Sequence, residues 1–182
     1  ALYGVTIDGN VAAAAGHTSK CEGAVFVASL SSGATVAFAT VGGATALRDV
    51  VAAGNGLFVA VGWGPTLNTD AKAVGVGSDG KVKWLHTEGG SGFDAGFAAV
   101  ETTRLGTVMV GTRDATAALR VGPCGNAHPK TLSGQGFATA LSRDGDVLWR
   151  RTYAHDPDGQ HTMLGLYGAG DMRAGGSLFV GV

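Results

Sequence analysis

The run His155-Asp156-Pro157-Asp158-Gly159-Gln160-His161 brings two imidazoles and two carboxylates close together. Asp156 and Asp158 offer oxygen donors for a hard cation, and His155 and His161 offer nitrogen donors for a transition metal. The same residues also read as a Pro-and-Gly turn in which Asp accepts backbone hydrogen bonds, and that plainer reading is preferred. His128 and Lys130 stand in a second polar stretch just after Cys124 and are candidates for ligand contact. Cys124 precedes His128 by four residues, but no local acid orients the pair for thiol catalysis. Cys21 and Cys124 are the only cysteines and form no Cys-x-x-Cys pair, so they allow one disulfide without a zinc or redox signature. Trp63, between Gly62 and Gly64, completes the candidates: exposed, its indole would stack on a sugar or peptide, and otherwise it packs under its loop.

Other chemistries lack their residues. Asp144-Gly145-Asp146 is better explained as hairpin chemistry than as calcium binding, since no bidentate Glu follows at the required spacing. A Gly-x-Ser-x-Gly nucleophile elbow is absent, and Gly90-Ser91-Gly92 is too short to make one. The Gly-rich stretches at Gly62 and Gly89 lead into no helix whose amides could cradle a phosphate. No cofactor is expected.

The elements that must position these residues are short. There are 32 glycines in 182 residues, far above an average near 7%. Apolar packets such as Leu57 to Val61 run for about five residues, well short of the roughly 18 that a spanning helix requires. The pattern is that of many short strands in one domain with frequent tight turns. With 13 Lys plus Arg against 14 Asp plus Glu, the net charge is −1, which leaves no polyanion footprint for nucleic acid.

The chain repeats itself. An apolar segment closes on Gly16, Gly62, Gly111 and Gly181, at spacings of 46, 49 and 70 residues. After it comes a hairpin with Gly at its turn: Ala24 to Gly33 then Thr35 to Phe38, Ala71 to Gly80 then Val82 to Trp84, and Gly136 to Gly145 then Val147 to Trp149. Asp-Gly between alternating apolar runs is a strong hairpin signal. Each unit opens with a further strand: Leu2 to Ile7, Leu47 to Ala52, Phe97 to Glu101 and Met163 to Tyr167. Four strands in about 47 residues is the period of a β-propeller blade. Blades are expected at about 1–45, 46–94 and 95–160, with an insertion near 114–134 between the second and third strands, then a partial blade at 161–182.

The stretch from Asp79 through Trp84 and Gly89-Gly90 to Asp94, echoed from Asp144 to Trp149, resembles bacterial β-propeller repeats of the SBBP type. The first unit carries Phe38 where the others carry Trp, and in the third Ala154 to Gly159 replaces the glycine pair. The resemblance implies a seven-bladed architecture and a secreted or cell-surface bacterial protein, and it implies little about ligands.

The expected fold is therefore all-β, a propeller portion of about three and a half four-stranded antiparallel blades. The half blade would leave the strand at 177–182 as an open edge, to be paired with further blades or another chain. Residues 1–182 are thus expected to be a segment of a longer propeller. The expected function is a non-enzymatic extracellular scaffold or adhesion module that meets a protein or glycan through its loops. The rivals are a carbohydrate-binding propeller using Trp63, a structural subunit of a surface filament or shell, and an enzyme completed by absent blades. That last reading would need inner-strand residues such as Asp49 and Glu101 to converge with other ionisable groups.

Overall fold

The computed structural model describes the backbone of residues 1–64, 69–102, 106–121, 127–153, 166–172 and 176–181, and the side chains of residues 1–64, 69–102, 106–115 and 134–153. These residues form β-strands and no helix. The first unit holds β1 (Leu2–Asp8), β2 (Val11–His17), β3 (Gly23–Ser29) and β4 (Thr35–Val41). The second holds β5 (Ala46–Ala52), β6 (Leu57–Trp63), β7 (Ala71–Gly77) and β8 (Val82–Glu88), and the third β9 (Phe93–Thr102), β10 (Gly106–Val121), β11 (Ala127–Leu141) and β12 (Val147–Tyr153). β13 (Leu166–Met172) and β14 (Gly176–Gly181) make a further hairpin. Each unit is an antiparallel four-stranded sheet in sequence order, so the chain is three propeller blades and the start of another.

First strands lie innermost: β1 lies beside β5, β5 beside β9, and β9 beside β13. In blade 2 the second and third strands are covered on both faces, which is why β6 reads as the continuous apolar run Leu57-Phe-Val-Ala-Val. The fourth strands β8 and β12 are mostly exposed with half-buried positions between, as expected of a solvated edge. Blade 1 packs on blade 2 through Ala13, Ala15, Val25 and Val27 against Val50, Phe58, Val74 and Val76. Blade 2 packs on blade 3 through Val61, Ala71 and Ala73 against Met109, Phe137 and Leu141.

Two glycine sets allow close approaches, one within each sheet and one between blades. Gly16, Gly62 and Gly111 each face a carbonyl oxygen of the neighbouring first strand, from Ala1, Ala46 and Ala95, where a Cβ would overlap. The hairpin glycines Gly80 and Gly145, at φ of +75° and +87°, press the turn of one blade onto the outer strand of the blade before it. Gly80 meets Ala37, and Gly145 meets the Trp84 ring. Their positive φ also fits the turn that the Asp-Gly pairs require.

Three boundaries differ from the sequence reading. Much of the insertion at 114–134 is strand: β10 and β11 continue as a two-stranded arm, paired out to Val121 and Ala127, and residues 122–126 lie outside the described residues. Pro129 is accommodated because this part of β11 pairs with β10 alone, leaving its other side without a ladder to interrupt. The third inner strand begins at Phe93, inside the expected linking turn. The inner strand expected at Met163 to Tyr167 instead runs Leu166–Met172, and residues 163–165 lie outside the described residues.

Candidate functional site

Every inner strand carries the same irregularity. Leu2 pairs with Gly16 and Gly4 with Ala15, so Tyr3 is an extra, unpaired residue. Arg48, Phe97 and Tyr167 occupy the equivalent slots of β5, β9 and β13. A β-bulge of this kind kinks the strand and re-aims the side chain of the extra residue. The bulges lie at the end of the sheets shared by the linking turns between blades and the β10–β11 arm.

The bulge residues meet the last residues of the second strands. His17 Nδ1 donates to the Thr18 carbonyl at 2.8 Å, which leaves Nε2 to accept from the Tyr3 hydroxyl at 2.9 Å. The Arg48 guanidinium lies 4.8 Å from the Tyr3 ring centroid and 5.9 Å from that of Trp63. Trp63 in turn meets Phe97 at 6.4 Å with the rings tilted by 69°. Arg48 is exposed, and among the described residues it pairs with no carboxylate. Its neighbour Asp49 is engaged elsewhere: one carboxylate oxygen accepts from Val50 N and the other from Ala99 N, both at 2.9 Å.

The remaining charged groups with described partners hold turns and blades. Glu88, at the end of β8 with its side chain 2% exposed, accepts a 2.6 Å hydrogen bond from Thr139 on blade 3. Arg150 Nε lies 2.5 Å, His86 Nε2 3.5 Å and Arg113 Nη1 3.7 Å from its carboxylate. Burial works to raise the Glu88 pKa, but the adjacent His86 imidazole, the hydrogen bond from Thr139 and the charge of Arg150 outweigh it and hold the group below its ordinary value. Asp94 accepts from Gly90 N at 2.9 Å and Asp114 N at 3.0 Å, and its pKa is raised because burial outweighs those bonds. Arg143 on blade 3 donates to the Ala53 carbonyl of blade 2, while Trp84 Nε1 donates to the Arg143 carbonyl at 2.6 Å. Glu101 accepts from Thr107 at 2.8 Å, and burial raises its pKa. Asp49 and Glu101 therefore have separate partners.

Of the sequence candidates, Trp63 ends β6 and is 3% exposed, so its indole is packed and is no open stacking platform. Cys21 is disulfide-bonded, and the only other cysteine, Cys124, lies outside the described residues. His128 and Lys130 fall on β11, their side chains outside the described set. His155, Asp156, Asp158 and His161 lie outside the described residues altogether. Among the described residues no group of three or more His, Cys, Asp or Glu side chains could hold a metal.

The sequence reading missed Arg48, Tyr3, His17 and Phe97. A signal existed: once the inner strands are aligned, Tyr3, Arg48, Phe97 and Tyr167 share one slot, each bulky. A bulge leaves no other mark on the apolar alternation. Comparison with protein-family models and with curated proteins finds no match, so the likeness to SBBP-type repeats rests on the chain's own residues.

Proposed function

We propose that this chain is a non-enzymatic scaffold or adhesion module of the SBBP-type propeller kind, secreted or displayed at a bacterial surface, that binds a partner through its loops. The observation that carries the reading is how the charged groups at the blade contacts are used. Buried Glu88, half-buried Asp49 and exposed Arg143 each bridge two blades, and buried Asp94 pins a turn, so these groups serve rigidity. A rigid body that presents variable loops is what a binding scaffold requires. The Cys21 disulfide supports an oxidising location.

Two surfaces suit the module to a larger assembly. Among the described residues β14 pairs with β13 alone, which leaves an edge that further blades or another chain can extend. The outer face of blade 1 exposes Val5, Ile7 and Phe26 around a hollow of about 220 Å³ lined by Ala12, Ala14 and Ala28. In register, this face matches the Val50, Phe58 and Val74 face by which blade 2 docks on blade 1.

The test is a panel of hydrolase and oxidoreductase substrates run beside hydrogen exchange. Slow exchange of the β2, β6 and β10 amides with no turnover is expected. Turnover abolished by a loop substitution would overturn the reading.

A further inference from the structure

We propose that Arg48 is an anion-binding residue that takes an Asp or Glu carboxylate from an acidic segment of a partner protein. The proposal rests on the binding-module reading and names the chemistry of its partner. Four observations lead to it. The bulge in β5 takes Arg48 out of the paired ladder, because Leu47 pairs with Gly62 and Asp49 with Val61. The guanidinium is held in place by stacking, at 4.8 Å over Tyr3 and 5.9 Å from Trp63, and both rings are themselves braced, by His17 and by Phe97. Its N–H groups donate to no described residue, and its charge is paired with no described carboxylate. The acid beside it, Asp49, is committed to two backbone amides.

An arginine stacked on aromatics and exposed at its edge presents a planar fork of donors that matches a carboxylate bidentately. The stacking fixes the fork before the ligand arrives, which lowers the ordering cost of binding. Arg, Tyr and Trp are also the residues enriched where proteins bind one another. A sugar is the poorer fit: Trp63 is 3% exposed, and Arg48 covers one face of the Tyr3 ring.

The experiment is an NMR titration of the purified chain, following the Arg48 Nε–Hε and Trp63 indole resonances. The probes are triglutamate, trilysine and trigalacturonate. Triglutamate is expected to shift both resonances saturably, with trilysine silent. Arg48→Gln is expected to weaken triglutamate binding by about tenfold to a hundredfold. Arg48→Lys, which keeps the charge and loses the fork, is expected to weaken it less. Absence of a saturable shift, or equal binding by Arg48→Gln, would overturn the proposal. A response to trigalacturonate with triglutamate silent would overturn it in favour of an acidic sugar. Neither result touches the scaffold reading, which fails only on turnover.

Discussion

The two interfaces between consecutive blades share one register and differ in chemistry. Between blades 1 and 2 the last residue of the outer strand is Val41, and it belongs to the same apolar cluster as Val74. Between blades 2 and 3 the equivalent positions hold Glu88 and Thr139, joined at 2.6 Å and attended by Arg150 and Arg113. Backbone geometry, set by the hairpin glycines and the bulges, is thus the constant of the repeat. What fills the interface can change from an apolar pair to a charged clamp without changing how the blades stack. The apolar version needs only burial, whereas the charged version stabilises only while every polar group has a partner.

The largest effect expected comes from removing the covalent tie at Cys21. Cys21→Ser removes the Cys21 disulfide, and a loss of about 4–5 kcal/mol, the upper part of the range for a native disulfide, is expected in urea denaturation. An unchanged midpoint would mean that the bond does not constrain the unfolded chain. Within the apolar interface, Phe58 is fully buried, and Phe58→Ala is expected to cost about 4 kcal/mol through a cavity between blades 1 and 2.

Glu88→Gln in the charged interface is expected to cost about 2 kcal/mol, toward the low end for a buried ion pair because Arg150 remains 43% exposed. It also separates the interfaces by pH. The folded-state pKa of Glu88 lies below its ordinary value of 4.5, so its contribution is full above that value and is lost as pH falls through the folded pKa. Thermal melts from neutral to acid pH should show a shallower acid decline in Glu88→Gln than in the native chain. Phe58→Ala should lower the whole profile and leave its acid slope alone. The smallest effect is expected from Trp84→Phe, which removes the bond to the Arg143 carbonyl and costs about 1 kcal/mol.

Much of this fold was legible in the sequence because its signals are local. The Asp-Gly turns at Gly80 and Gly145 and the apolar runs closing on Gly16, Gly62 and Gly111 located the strands and their order in each sheet. The β10–β11 arm was hidden by Pro129 and the glycines around it, which read as loop unless the strand is known to pair on one side alone. The site was less legible. Arg48 is an ordinary exposed arginine until a bulge lifts it and Tyr3 and Trp63 close around it, and the contact with Tyr3 joins strands of different blades. Trp63 was visible by its type, but burial is decided by the neighbouring blade. The Glu88 clamp was invisible for the same reason, since Thr139 lies 51 residues away.

The measurement that tests the shared register most directly is a double-mutant cycle on Glu88 and Thr139, each replaced by Val as at Val41 and Val74. Urea denaturation of the native chain, Glu88→Val, Thr139→Val and the double variant gives the coupling between the two sites. A coupling of about 1–2 kcal/mol is expected, with the double variant losing less than the two single losses combined. Losses that add to within about 0.5 kcal/mol would show that the two side chains do not face each other across the blades and would contradict the common stacking.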